Sequence, residues 1–293
     1  MTEESSASSP PSRPPPKTKR FTWRRIVLGG LLLALAAMTV YALIPGRTPQ
    51  PNPELEPSQH HTIAIFGASG TAGDGVLKAA LADPNVKTIH VITRRSTPRI
   101  DQGVAAGRVE MTTHMDYEDY GPLAKILPTL DAVYWALGTS AANVDDEQYS
   151  VIHVDFPVAF VRTWLEHARP GSRSFHLISG QGASADAWSH WAREKARTER
   201  ELSALVEDTN VRVVSYRPSY IAPSEERTHF GHSLAHAVFG PFKLAIRSTA
   251  IGRAMLEVTA RSDTELPNGT ILENKDILNY AAAYEQRHAQ AHH

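Results

Sequence analysis

The sequence predicts a doubly wound α/β fold, a parallel sheet covered on both faces, preceded by a single transmembrane helix. Three observations predict it: short apolar runs alternating with helix-like segments, a glycine-rich turn directly after the first run, and one charge-free apolar stretch of membrane-spanning length near the N-terminus. At 293 residues and 42% hydrophobic content the chain is long enough for one large domain with its own core.

From Thr2 to Pro16 the chain is rich in Ser and Pro and has almost nothing to bury, which predicts disorder over residues 1–25 up to the end of a basic cluster, Lys17, Lys19, Arg20, Arg24 and Arg25. Ile26 to Ile44 then carries no charge. Its 19 residues span roughly 28 Å as a helix, close to a hydrocarbon core of about 30 Å. A cleaved signal peptide would have a shorter apolar region and a small-x-small exit, whereas this one leaves through Ala42-Leu43-Ile44-Pro45-Gly46. The Pro-rich residues 45–58 read as a stiff spacer that lifts the domain off the bilayer.

The domain is expected over residues 59–287, followed by a short tail, 288–293. Strands are predicted at His61 to Phe66, Thr88 to Thr93, Arg108 to His114, Asp131 to Ala136, Ser174 to Ser179 and Val211 to Tyr216, with a short extended piece at Thr270 to Leu272. Helices are predicted at Thr71 to Leu81, Glu147 to Ala168, Trp188 to Val206, Thr249 to Thr259 and Asp276 to Gln286. Beyond Pro223 the strand rhythm stops, and His232 to Ile246 reads as helix and loop interrupted by Gly240-Pro241, material for a wall over a substrate pocket.

Gly67-Ala68-Ser69-Gly70-Thr71-Ala72-Gly73 follows the first strand and opens the first helix. Glycines at that spacing allow a tight turn, close approach of backbone to a pyrophosphate, and a helix N-terminus whose free N–H groups favour the anion. The second strand ends at Arg94-Arg95, where an NAD-selective site would present a carboxylate; two guanidinium groups there suit the 2′-phosphate of NADPH.

Here the chain resembles an atypical short-chain dehydrogenase/reductase, and within that superfamily the Tat-interacting oxidoreductase family of NADPH-binding proteins. Besides the glycine turn and the arginine pair, the resemblance rests on Ala136-Leu137-Gly138-Thr139, Ser179-Gly180-Gln181-Gly182-Ala183, Lys195 with Glu199, Arg217-Pro218 and Leu272-Glu273-Asn274-Lys275. It implies pyrophosphate contacts from Ser69, Gly70, Thr71 and Ala72, with 2′-phosphate contacts from Arg94 and Arg95. It further implies an adenine-side role for Asp116, and places Leu137 and Gly138 near the nicotinamide ribose. Lys195 would hold the ribose hydroxyls, Ile221 would stand beside the nicotinamide, and Arg227 matches an arginine that the family carries beyond the sixth strand.

The superfamily's catalytic pair is Tyr-x-x-x-Lys, in which the lysine lowers the tyrosine pKa and the phenol protonates the carbonyl oxygen. Here the stretch is Trp191-Ala192-Arg193-Glu194-Lys195, and an indole N–H has no accessible acid–base chemistry. Ser179, Trp191 and Lys195 are the expected catalytic positions, with His190 or Tyr220 as substitute acids. Two functions stay open: an NADPH-dependent reductase or dehydrogenase of a small carbonyl or alcohol, and a non-catalytic NADPH-binding sensor or scaffold.

Thirty Lys and Arg against 31 Asp and Glu, interspersed, set up no basic face for a nucleic acid, and the absence of cysteine excludes thiol nucleophiles and Cys-ligated zinc. The pairs His60-His61 and His292-His293 lack ligand partners at defined spacing, so no metal site is expected. Five positive charges before the apolar stretch against Arg47 just after it predict a domain across the membrane from the N-terminus, with a cytosol-facing organelle surface as the alternative.

Overall fold

The computed structural model describes residues 20–51, 53, 55, 61–167, 169–224 and 240–290; residues 1–19 of the stretch 1–25 expected to be disordered, Arg227, and most of the stretch from His232 lie outside them, whereas residues 20–25 of that stretch are helical. The chain divides into two units, residues 1–44 and 45–293. In the first, α1 (Arg20–Leu43) carries no charge after Arg25, and none of its window from Arg25 to Leu43 is buried in protein.

In the second unit, β1 (Thr62–Phe66), β2 (Thr88–Thr93), β3 (Val109–Thr113), β4 (Ala132–Trp135), β5 (Arg173–Ile178), β6 (Val211–Arg217) and β9 (Thr270–Glu273) form one parallel sheet in the order 3-2-1-4-5-6-9. The extended piece expected at Thr270 is therefore a seventh strand, registered Val214 to Thr270 and Arg217 to Glu273. β1 lies between β2 and β4, parallel to both, and the order in which strands are added reverses there, the switch point at which such folds bind ligands. Two further three-residue strands, β7 (Tyr220–Ala222) and β8 (Ala245–Arg247), pair in parallel beside it. They fall where the strand rhythm stops, because three residues carry no periodicity to read.

Successive strand residues face opposite layers. Ile63, Ile65 and Tyr134 pack with α2 (Thr71–Ala82), α7 (Ser248–Ala260) and α8 (Asn274–Gln290), whereas Phe66, Trp135 and Phe175 meet Phe160 and Trp164 of α5 (Phe156–Glu166) in a cluster of stacked and edge-on rings. The expected helix from Glu147 to Ala168 is interrupted: α4 (Asp146–Ser150) passes through a π turn, Val151–Asp155, into α5. An extra helix, α3 (Pro98–Ala105), begins at Thr97, whose side chain accepts from the Ile100 N–H, with Pro98 at the first helical position; this start signal is present in the sequence and sits on a segment too short for periodicity. The remaining crossover helix, α6 (His190–Leu205), starts after Ser189 rather than at Trp188, and α8 runs to Gln290, into the expected tail.

The Pro-rich segment is not a free spacer over its first half. Gly46 lies against Lys275 and Asp276, the Arg47 N–H donates to Asp276, and Asn279 donates to the Arg47 carbonyl at 2.9 Å. Further along, Gln50 exchanges bonds with Glu265 and Arg261, and Leu55 bridges to Arg261. Arg261 is itself fixed by buried pairing with Glu257 at 2.8 Å and Glu265 at 2.7 Å. Proline has few conformations to lose, so a strap of this composition docks at low entropic cost. Both ends of the Asn268 amide are engaged, accepting from the Val213 N–H and donating to the Ser203 carbonyl.

The turn after β1 fixes where the ligand groove lies. Gly67 has φ +76°, and a Cβ there would stand 2.5 Å from the Ala136 carbonyl oxygen of the neighbouring strand's exit. A Cβ on Gly73 would stand 2.2 Å from the Gly67 oxygen, while one on Gly70 would meet that oxygen alone, at 3.3 Å. Two of the glycines thus serve packing, and Gly70 borders open space. We expect Gly73→Val to destabilise the domain by more than about 3 kcal/mol or prevent folding, and Gly70→Val to cost less than about 1–2 kcal/mol; urea unfolding of the full chain in detergent followed by circular dichroism checks both.

Candidate functional site

The carboxyl ends of the strands open on two adjoining cavities of about 600 and 630 Å³ that share Gly70, Ala136, Leu137 and Gly138 as a common floor. Each has the size of a small-molecule pocket, and joined they form a groove long enough for a two-part ligand. Gly67, Ser69, Arg94 and Arg95 line the first half, and Thr71, Ala72, Ser179, Trp191, Lys195 and Ile221 line the second. The α2 N-terminus enters between them: Gly70 is its N-cap residue without a side-chain cap, so the free N–H groups of the first turn face the groove. Gly73, expected among the ligand contacts, lines neither cavity among the described residues and acts through the packing described above.

In the first half both arginines are exposed, at the end of β2. Tyr117 stands beside Arg94; burial raises its phenol pKa, and the guanidinium opposes the rise. Asp116, expected on the adenine side, lines neither cavity and accepts from the Glu118 N–H at 2.9 Å, an Asx turn that shapes the loop carrying Met115 and Tyr117 into the groove.

The second half holds the groups able to do chemistry. Ser179 directly follows β5 with its N–H bonded to the Tyr216 carbonyl at 2.7 Å, and its hydroxyl is buried with no hydrogen-bond partner among the described residues. Such a hydroxyl in a cavity wall is costly unless a ligand uses it. Lys195 is buried and donates to the Ile178 carbonyl at 3.3 Å. Burial lowers its ammonium pKa to about 8, against the opposing charge of Glu199. That carboxylate is held bidentately by Arg217 at 2.6 and 2.9 Å, which keeps it off the lysine. One turn before Lys195, Trp191 lies over the β5–α6 turn, its ring 3.7 and 3.8 Å from where Cβ atoms on Gly180 and Gly182 would stand. The indole thereby occupies the wall where the superfamily pattern has a phenol.

Tyr149 and His153, one helical turn apart on α4 and the π turn, are lining residues that were not anticipated. Their i, i+4 spacing was visible as a shared face, but only the fold turns that face to the cavity. The rings lie tilted by 33° with centroids 4.1 Å apart, and the imidazole Nε2 lies 3.2 Å from the Thr139 nitrogen and 2.9 Å from its oxygen, accepting from one or donating to the other by tautomer. A Cβ on Gly138 would meet His153 at 2.6 Å, so Gly138 is glycine to admit this clamp. Thr198 ties the His153 carbonyl to α6 at 2.8 Å. Burial, then the Lys195 charge, lowers the imidazole pKa to about 3, leaving it neutral at physiological pH. Because the unfolded ring titrates near 6.5, the fold loses stability as pH falls from about 6.5 toward 3. Burial, with Glu194, raises the Tyr149 phenol to about 12.

The substitute acids suggested by the sequence are elsewhere. His190 bonds Ser150 and the Asp146 carbonyl, both at 3.0 Å, and lines neither half; Tyr220 leaves the wall to its neighbour Ile221.

No family model matches the chain. Among curated proteins it is similar to "Protein fmp52-1, mitochondrial" of Aspergillus oryzae, 26% identical over 239 residues, which are 75% of this chain and 97% of that protein. It is similar also to "Protein FMP52, mitochondrial" of Eremothecium gossypii, 29% identical over 177 residues, 60% of this chain and 73% of the relative. Among solved structures it superposes on a short-chain dehydrogenase/reductase from Saccharomyces cerevisiae with TM-score 0.58 and 13% identity, covering 76% of this chain and 98% of the other. A 3-oxoacyl-[acyl-carrier protein] reductase from Brucella melitensis in complex with NAD gives TM-score 0.55 at 15% identity, covering 75% and 98%. The domain therefore has the short-chain dehydrogenase/reductase fold, a Rossmann-like parallel sheet of seven strands with helices on both faces.

Proposed function

We propose that the chain is a membrane-anchored, NADPH-dependent reductase or dehydrogenase of a small carbonyl or alcohol, akin to the Tat-interacting oxidoreductase family. The observation that carries this reading is the continuous groove with Arg94 and Arg95 at one end, an uncrowded Gly70 and a helix N-terminus at its middle, and the unpartnered Ser179 hydroxyl at the other. These residues fit a dinucleotide: the space beside Gly70 admits a pyrophosphate against the α2 N–H groups, with Ser69, Thr71 and Ala72 around it. Arg94 and Arg95 would take the 2′-phosphate, Leu137, Gly138 and Lys195 the nicotinamide ribose, and Ile221 the apolar side of the ring.

NADPH, when bound, supplies the hydride. Ser179 then donates a hydrogen bond to the carbonyl oxygen of the substrate, and in place of the missing phenol Lys195 gives up the proton from Nζ to that oxygen. An ammonium pKa near 8 suits this task, since a proton donor works best close to the ambient pH. Trp191 contributes an apolar wall that excludes water, and neutral His153 holds the Gly138-Thr139 floor without placing a second cation beside Lys195. Trp191 also favours a second reading, in which the groove holds NADPH without turnover; restoring the phenol with Trp191→Tyr raises turnover under the first reading and leaves it at zero under the second. The mitochondrial names of the relatives support a mitochondrial membrane for the anchor, and the charge rule favours a domain across it from the N-terminus.

Two outcomes are expected. Calorimetry on the full chain should show NADPH bound more tightly than NADH, and changing Arg94 and Arg95 together to Ala should cost about 1.5–3 kcal/mol for NADPH alone, one to two decades of affinity. In the reductive direction kcat/KM should fall as pH rises through about 8, as the Lys195 ammonium loses its proton, and Lys195→Met should remove both the activity and that limb of the profile.

A further inference from the structure

The substrate half of the groove is walled by two helices side by side, each contributing two residues four apart: Tyr149 and His153 from α4 and the π turn, Trp191 and Lys195 from α6. Side-chain bonds fix their register. His190 Nε2 lies 3.0 Å from both the Ser150 hydroxyl and the Asp146 carbonyl oxygen, and Thr198 donates to the His153 carbonyl at 2.8 Å. Tyr149 therefore stands beside the start of α6, its ring edge-on to His190 with centroids 6.3 Å apart. A phenol is thus present in this wall, on the helix beside the one where the superfamily pattern has it. The π turn aims it there: without the inserted residue α4 would be rotated by about 100° relative to α5, and Tyr149 would leave the cavity.

Among the hydroxyl groups lining this half, two belong to buried residues, Ser179 and Tyr149. Thr71, Thr139 and Ser140 are exposed or half-buried, where water serves them. Neither buried hydroxyl has a hydrogen-bond partner among the described residues. A buried donor left unpaired is costly, so each asks for an acceptor from the ligand. A carbonyl oxygen has two lone pairs. In the reaction proposed above Ser179 and Lys195 take both, which leaves the Tyr149 hydroxyl for another acceptor.

Charge decides what kind of acceptor that is. Burial, then the nearby Glu194 carboxylate, opposes ionisation of Tyr149, so the phenol keeps its proton and remains a donor. An anionic substrate group beside it would face that same carboxylate, whereas a neutral oxygen would not.

We propose that Tyr149 reads a second oxygen on the substrate: its hydroxyl donates a hydrogen bond to a neutral hydroxyl or carbonyl group, and the substrates are small hydroxyketones and dicarbonyls rather than simple ketones. Ile178 and Trp191 supply apolar wall for the carbon chain between the two oxygens. The proposal rests on the reductase or dehydrogenase reading above and deepens it by naming the substrate class.

The test reads binding apart from turnover, by ligand-detected NMR titration of the full chain in detergent with tetrahydro-NADP, which carries no transferable hydride. The probes are methyl ketones with a terminal hydroxyl one, two or three carbons from the carbonyl, each against the ketone of equal size in which methyl replaces hydroxyl. At least one hydroxyketone should bind roughly tenfold more tightly than its matched ketone, the worth of one neutral hydrogen bond. Tyr149→Phe, which keeps the ring against His153, should bring that ratio close to one, and kcat/KM with NADPH should show the same ratio and the same collapse. Preference in no pair, a preference that survives Tyr149→Phe, or a keto acid of equal length bound better than both would overturn the proposal, while reduction of the ketones leaves the reductase reading standing. A fall in kcat shared equally by both members of each pair would put Tyr149 on the reacting oxygen and overturn the proposal too. Ketones that neither bind nor turn over would overturn both readings together.

Discussion

The close approach of three backbone segments at Gly67 governs the rest of the site. The exit of β1 lies against the exit of β4 so tightly that a methyl group on Gly67 would stand 2.5 Å from the Ala136 oxygen, and the α2 helix is pressed onto the same turn at Gly73. Packing of this kind aims the helix N-terminus along the sheet's switch point and makes the floor of the groove common to both halves. A second close contact supports it from the far side: Gly75 and Gly252 let α2 and α7 touch, with a Cβ on Gly75 2.3 Å from the Ser248 backbone. The position of the ligand groove is thus a consequence of where side chains are absent.

Electrostatics in the substrate half follow from the same enclosure. One cation, Lys195, is kept there with a depressed pKa, and the nearest candidate for a second, His153, is held neutral by burial and by the lysine itself. Glu199, whose charge opposes that depression without cancelling it, is paired with Arg217. The indole at Trp191 fits this pattern, since it adds apolar area beside a group whose chemistry depends on exclusion from water. The same residues make either a reductase that uses its lysine directly or a cofactor cradle that has lost turnover, and residue 191 is where those readings part.

Much of the architecture was legible in the sequence because its signals are local. Val- and Ile-rich runs such as Thr88 to Thr93 and Val211 to Tyr216 announce buried parallel strands, and Gly67 to Gly73 announces the turn. What escaped depends on contacts distant in sequence or on segments too short to show a period. β7 and β8 have three residues each, and the π turn at Val151–Asp155 differs from a helix by one inserted residue. The docking of Gly46 and Arg47 requires Asp276, which no local pattern connects to them. Candidate site residues divided along the same line. Ser179, Lys195 and Arg94 follow strands or share a motif and line the groove, whereas Gly73 serves the turn and Asp116 its own loop. Tyr149 and His153 enter from a helix whose face the sequence could not orient.

The central claim is that NADPH lies along this groove with its 2′-phosphate at Arg94 and Arg95 and its nicotinamide beside Ser179 and Lys195. The most direct test is an experimental structure of the full chain with NADPH. The account predicts the pyrophosphate against Gly70 and the first turn of α2, and the nicotinamide ring within van der Waals reach of Ile221. A cofactor seated elsewhere, or a groove that stays closed to NADPH at saturating concentration, would contradict it.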